Sequence, residues 1–293
     1  MDMSIKDTTP PELKAFRDRI DAVDDQLIAL FKQRAGIVRE VGRYKHRVKP
    51  GICPIRPARE AHMVARIAAA FTGSEFSPAA AATLWRTLIG ASTAMEAPLP
   101  ITAATSTGDD SLYWLAREYF GPFLPISRQP TARRAVSEVF DGRASVCVLP
   151  LIRADEQESW WPLLMQEREV PLRVFAHVPY TYFSGDEKSR VGGFAVAALE
   201  TEITGDDRTL VVLETSHDVS QSRLNSALEA AALDARWLHT ASPGTARRQH
   251  VLDVAGFLSE NSVAITGLKK VLEPALERVY ILGHYASPIT LTT

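Results

Sequence analysis

"LKAFRDRIDAVDDQLIALFKQRAGIVREVGRYK", Leu13 to Lys45, decides how this chain is read. Phe16, Ile20, Val23, Leu27, Leu30, Ile37, Val41 and Tyr44 step by 4, 3, 4, 3, 7, 4 and 3, the spacing of one apolar stripe along an α-helix. No proline interrupts Leu13 to Lys49, so the pattern predicts one helix of about 35 residues, well beyond the roughly 8 to 20 of an ordinary globular helix. Such a helix has too little of its own domain to pack against. It is expected to pair with a partner chain.

Arg34, Arg39, Arg43 and Lys45 place four cations on this pattern. Cations of an amphipathic helix usually face water, and Arg39 and Arg43 are assigned there. Arg34 is different, because Leu27, Leu30, Ile37 and Val41 lie at −7, −4, +3 and +7 from it, which puts it on the apolar stripe itself. A cation there needs an anion. Lys45 follows Arg34 by 11 residues, so the two fall about 20° apart on one face with a rise of about 16 Å. Two long side chains leaning toward each other can grip one small ligand. Arg17, about 100° round and about 25 Å along the axis from Arg34, cannot touch that ligand from the same helix. If it serves the site, it does so from a second subunit.

Proline and glycine in "VKPGICPIRP" end the helix, and two shorter ones are predicted, Pro57–Phe71 and Ser77–Glu96, the second with Pro78 near its start. "PIRPARE" places Arg59 and Glu60 in the first turns of the former, and "GASTAME" places Ser92 and Glu96 as an i,i+4 pair near the end of the latter. Taken alone, each pair reads equally as a solvated surface feature.

"APLPITAATS" marks a linker and a change of period. Short apolar runs at Ile101–Thr105, Ser145–Pro150, Leu172–Val178 and Phe194–Leu199 then alternate with helical stretches at Asp109–Phe120 and Thr131–Phe140, which predicts an α/β layer with a largely parallel sheet. After "TGDDR" come strand Arg208–Glu214, helix Val219–Leu233, strands Ala235–Ala241 and Gln249–Phe257, helix Val263–Leu272 and strand Arg278–Tyr285. This β-α-β-β-α-β order is the ferredoxin-like plan.

With 293 residues, 46% of them hydrophobic, the chain can build a core in each of two or three domains. A formal net charge of −2 gives no electrostatic footprint for nucleic acid or an acidic membrane. Cys53 and Cys147 form no CxxC, and the seven histidines, His46, His62 and His217 among them, show no ligand spacing. No metal or cofactor is expected, and the setting is read as reducing cytoplasm. The N-terminal "MDMSIKDTTPPELKAF" lacks signal-peptide character, and no apolar run approaches the roughly 20 residues that span a bilayer.

Together "LKAFRDRIDAVDDQLIALFKQRAGIVREVGRYK", "PIRPARE" and "LWRTLIGASTAME" resemble the all-helical class of chorismate mutases over about the first 97 residues. The resemblance implies an intertwined homodimer built by the long helix, with two sites that each bind chorismate and borrow an arginine from the other chain. Arg17 matches that trans arginine, Arg34 and Lys45 the cis cations, Arg59 and Glu60 the Arg-Glu pair, Ser92 the hydroxyl of the third helix, and Glu96 a position held by Gln or Glu. Arg56 departs from the Asp that some members carry three residues before Arg59. That leaves the ring-hydroxyl contact to Glu60 or a backbone group.

The implied reaction, a pericyclic rearrangement of chorismate to prephenate, needs no nucleophile and no proton transfer. It needs a compact conformer to be held and the charge on the breaking ether to be stabilised. Arg17 in trans, Arg34 and Arg59 suit the two carboxylates, with Ser92 assisting. Lys45 is expected to donate to the ether oxygen and Glu60 to accept from the ring hydroxyl. Glu96 facing that oxygen helps only as a neutral donor, so activity is expected to rise below neutral pH and Glu96→Gln to flatten the profile. A wild type equally active at pH 8 and pH 5 would sink that role.

The remaining sequence resembles a degenerate prephenate dehydratase joined to an ACT-type regulatory domain. "RRAVSEVFDGRASVCVLP" is similar to the first dehydratase lobe and "RVYILGHYASP" to the end of the ACT module. Three domains are expected: 1–98 helical chorismate mutase, 99–203 reduced α/β dehydratase-like lobe, and 204–293 ACT-like α+β domain. Where the dehydratase pattern has Pro-Ile-Glu-Asn-Ser, this chain reads Pro150, Leu151, Ile152, Arg153, Ala154; for Thr-Arg-Phe it reads Gly192, Gly193, Phe194. About one lobe's length is also expected to be missing between Phe183 and Val191. Dehydratase activity is therefore expected to be lost. The ACT effector motifs are altered too, with Ser222, Arg223 and Leu224 at the Gly-Ala-Leu turn and Thr240 to Pro243 at the Glu-Ser-Arg-Pro stretch. An isochorismate-pyruvate lyase and a non-catalytic regulatory partner of a shikimate-pathway enzyme are the competing readings. A Met1–Ala97 truncation that kept full activity would favour a passive tail.

Overall fold

In the first residues described, apolar side chains recur without a helix breaker, and the chain forms one uninterrupted helix, α1 (Pro11–Val48), 38 residues long. The computed structural model describes residues 10–48, 51, 53–106, 108–154, 158–184, 191–244 and 247–291. It divides into two units, Met1–Ile52 and Cys53–Thr293. In α1, Glu12 in the first turn and Lys45, His46 and Arg47 in the last complement the helix macrodipole. The apolar stripe of α1 is exposed: its members run from 40% at Val41 to 60% at Ile20. A continuous exposed stripe of that size marks a surface built to be covered.

The second unit opens with α2 (Pro57–Ala70) and α3 (Pro78–Glu96). Pro57 sits in the first turn of α2, and Ser77 caps α3 by accepting from the Ala80 amide at 3.1 Å. Val64, Ala68, Ala82 and Ile89 form the core between the two helices, with Met63, Tyr180 and Leu291 packed against it. There follow β1 (Ile101–Ala104), α4 (Ser111–Phe120), β2 (Ile126–Gln129), α5 (Ala132–Phe140), β3 (Val146–Pro150), a 3-10 turn (Trp161–Met165), β4 (Arg173–Val178), β5 (Thr181–Phe183) and β6 (Gly193–Ala197). The last stretch holds β7 (Asp207–Ser216), α6 (Gln221–Ala230), β8 (Ala235–Ala241), β9 (Arg247–Ala255), α7 (Val263–Leu272), β10 (Leu276–Ala286) and β11 (Ile289–Leu291).

One nine-stranded sheet runs β2-β1-β3-β6-β4-β10-β7-β9-β8, while β5 and β11 pair separately. It is mixed, which corrects the expectation of a largely parallel layer. β1 is parallel to β2 and β3, but β6 is antiparallel to both β3 and β4. Parallel neighbours need a crossover, usually a helix; α4 and α5 supply one on each side of β2. Among the described residues no helix separates β4 from β6, so β6 returns antiparallel.

The order β10-β7-β9-β8, all antiparallel, is the ferredoxin-like arrangement. Leu224, Ile265 and Leu268 of α6 and α7 bury against Val211, Leu213 and Leu252 of its sheet. This part shares the sheet of the preceding strands where Gly283 of β10 registers with Val174 of β4. Gly283 has φ +148°, and a Cβ there would lie 2.1 Å from the Val174 carbonyl oxygen. Only glycine lets the two backbones approach so closely.

Candidate active site

Every side chain expected in the site lies on a helix. On α1, Arg34 and Lys45 are half-buried, whereas Arg17, Arg39 and Arg43 are exposed. Arg34 and Lys45 stand 11 residues apart and share one face of α1. Arg17, a quarter-turn away, belongs to a different part of the same helix.

On α2, Arg59 is exposed and Glu60 half-buried in the first turn. Glu60 Oε2 accepts from Arg86 Nη1 at 3.1 Å, and the side chains are 13% and 11% exposed respectively. Arg56, at the departure position, is the residue immediately before α2 and pairs with Glu202 at 2.7 Å. That pair is half exposed, and surface pairs of this kind contribute at most about 1 kcal/mol.

On α3, Ser92 is buried, and its hydroxyl donates to the Leu88 carbonyl at 2.7 Å. The hydrogen expected to assist a substrate carboxylate is directed along the helix in this structure. Glu96, half-buried, is the last residue of α3.

Arg86 is the residue that sequence reasoning missed. Ala79, Ala82, Ile89 and Thr93 stand at −7, −4, +3 and +7 from it, and all are buried. The pattern is the one that singled out Arg34, so the signal was present. Its guanidinium donates through Nε to the Tyr119 carbonyl at 3.0 Å and lies 3.8 Å from the centre of the Tyr119 ring. Burial pushes the Tyr119 phenol up against the opposing pull of Arg86, and pushes Tyr180 up to about 12. Arg86, Tyr119 and Tyr180 line a small cleft with Glu118 and Thr181.

The dehydratase-like stretch is filled rather than open. Gly193 lies in β6 between Pro150 of β3 and Val178 of β4. A Cβ at Gly192 would meet Leu151 Cδ1 at 3.0 Å, and one at Gly193 would meet the Leu149 carbonyl oxygen at 2.5 Å. Phe194 packs its ring against Trp160, His177 and Tyr285 at 5.4 to 6.3 Å. Residues 185–190, within the interval where a lobe was expected to be missing, lie outside the described residues. Arg223 falls inside the first turn of α6, where its amide donates to the cap Ser220 at 3.2 Å.

The class that the N-terminal helices define is given by sequence family. Residues 16–97 match the family model described as chorismate mutase type II, and that interval contains Arg17, Arg34, Lys45, Arg59, Glu60, Ser92 and Glu96. No curated protein matches the chain. Among solved structures, the chain is similar to a quorum-quenching acylase, GqqA, at 15% identity and TM-score 0.47, covering 64% of this chain and 95% of that one. It is similar to prephenate dehydratase from Streptococcus mutans at 12% identity and TM-score 0.45, covering 67% and 100%. Prephenate dehydratase from Arthrobacter aurescens, in complex with L-Phe, gives 13% identity and TM-score 0.46 over 65% and 90%.

Proposed function

We propose that this protein is a chorismate mutase that rearranges chorismate to prephenate in aromatic amino acid biosynthesis. The observation that carries the reading is that residues 16–97 match the chorismate mutase type II family and hold Arg17, Arg34, Lys45, Arg59, Glu60, Ser92 and Glu96, with Arg34 and Lys45 on one face of α1. Arg34, Arg59 and a partner subunit's copy of Arg17 hold the substrate's two carboxylates, with Ser92 assisting. Lys45 donates to the ether oxygen as its charge grows, Glu60 accepts from the ring hydroxyl, and Glu96 completes the oxygen's surroundings as a neutral donor. The reaction asks for no cofactor.

The working unit in this reading is a homodimer. Its support is the uncovered stripe of α1, which a second copy of the same helix would bury over many apolar side chains at about 25 cal/mol per Å². Residues 99–203 are assigned as a dehydratase-like region without dehydratase activity, and 204–293 as an ACT-like domain, in a cytoplasmic protein. The packed surroundings of Gly192 and Gly193 favour that loss.

One assay tests the reading against its rivals: purified protein is supplied with chorismate or isochorismate, and prephenate, salicylate or neither is measured. Prephenate is expected. Arg34→Ala or Lys45→Ala is expected to abolish turnover with the helix content unchanged, and Arg39→Ala to change little. Salicylate from isochorismate would replace the mutase with a lyase, and no product from either would leave a binding partner.

A further inference from the structure

We infer that Arg86 is a positioning residue for the mutase reaction, through which α4 of the α/β layer fixes the carboxylate of Glu60. The inference rests on the mutase reading for the role of Glu60 and goes beyond it in making the following region part of the site's support. Arg86 is held from three directions. Its Nε donates to the Tyr119 carbonyl, one of the last four carbonyls of α4, which have no partner within their own helix. The negative end of that helix favours a cation there. The face of the Tyr119 ring takes the guanidinium at 3.8 Å, and Nη1 reaches Glu60 Oε2.

A guanidinium fixed on a neighbouring helix terminus has little freedom left. Glu60 Oε2 is bound to it at a site where both side chains are nearly buried, so the carboxylate's direction is set by α3 and α4 as well as by α2. Buried ion pairs of this kind add little net stability against an apolar replacement. What they supply is a fixed direction and charge for the group that meets the substrate.

Glu60 accepts from a hydroxyl that is the same in substrate and transition state, so loosening it weakens binding more than chemistry. In the full chain, Arg86→Gln is expected to raise KM for chorismate roughly tenfold, the effect of one charge-assisted hydrogen bond, with kcat changed far less. Glu60→Gln is expected to give a similar rise, and the double variant no more than either alone. Arg86→Lys should recover part of the loss, and where Arg86→Gln does not fold, Arg86→Lys is compared with Glu60→Gln in the same cycle. Wild-type KM in folded Arg86→Gln, or losses that add fully to those of Glu60→Gln, would overturn the positioning role while leaving the mutase intact. Absence of prephenate from the wild type would overturn the mutase reading and this role with it.

Discussion

Gly90 of α3 lies directly against the end of α4: a Cβ built on it would sit 2.1 Å from the Phe120 carbonyl oxygen and 3.2 Å from Gly121 Cα. The atoms that would be struck are backbone, which cannot swing aside. Gly90→Ala is therefore expected to force α3 and α4 apart at a cost of about 3 kcal/mol, lowering the midpoint of thermal unfolding of the full chain. Because Arg86 spans the same junction, KM for chorismate should rise as well. An unchanged melting temperature would show that the two helices are not locked there. By the same packing, a Met1–Ala97 fragment would expose the faces of α2 and α3 that Tyr180 and Leu291 cover. We expect it to lose activity rather than retain it.

The helices were legible because each carries its own punctuation. Proline and serine at the starts of α2 and α3, and a stripe with helical period in α1, put the ends of these three helices within about two residues, while the helix expected at Val219–Leu233 stops three residues earlier, at Ala230. The ferredoxin-like order was legible for a similar reason, since β7 to β10 alternate with two amphipathic helices of ordinary length. β2, "ISRQ", was not legible, because it has neither alternation nor an apolar run. Its strand identity comes from pairing alongside β1 at the sheet edge. The direction of β6 was equally hidden, for it depends on what connects the strands. In the site, charges on helix faces could be counted from periodicity. Arg86 carried the same stripe signal as Arg34, but its partner Tyr119 is 33 residues away on another helix, a contact no local pattern contains.

Prephenate is expected to persist in the presence of the purified protein. The positions where the dehydratase pattern carries Thr-Arg are Gly192 and Gly193, both buried, and Leu149, Leu151 and His177 occupy the space their side chains would need. Restoring Thr at 192 should therefore destabilise the fold without creating activity. Phenylpyruvate formed at neutral pH above the uncatalysed rate would contradict this.

Stability is expected to fall as pH drops from about 6.5 toward 4. His250 of β9 is 4% exposed, with Thr215 at 3.2 Å, Thr240 at 3.3 Å and the Trp237 ring edge-on. Burial, aided by the charge of Arg248, pushes it down to about 4. Above about 6.5 the ring is neutral in both folded and unfolded chains; below that only the unfolded chain takes up the proton, so the difference builds as acid is added. The full effect is about 3 kcal/mol, and His284, also pushed down by burial, acts in the same direction. Denaturant titrations at pH 7 and pH 5 should show His250→Gln less stable than wild type at pH 7 but losing less between the two. Parallel losses in both proteins would remove His250 as the cause.

The assignment of Arg17 to the partner's site makes a prediction that a self-contained site does not share. An Arg17→Ala homodimer lacks the trans arginine in both sites, and an Arg34→Ala homodimer lacks the cis cation in both. Each is expected to be nearly inactive. In a mixed dimer one site collects both substitutions and the other collects neither, because Arg17 of the Arg34→Ala chain reaches the site of the Arg17→Ala chain. With random exchange half the dimers are mixed and half of their sites are intact, so about a quarter of wild-type activity should return. Subunits are exchanged by mixing the two variants in mild denaturant, diluting, and following prephenate formation against each variant treated alone. If exchange is confirmed by mass-tagged subunits and activity stays at the level of the separate variants, Arg17 does not act across the dimer. Replacing Ile20 and Leu27 on the exposed stripe by Asp supplies the control: the chain should run as a monomer, and mixing should then restore nothing.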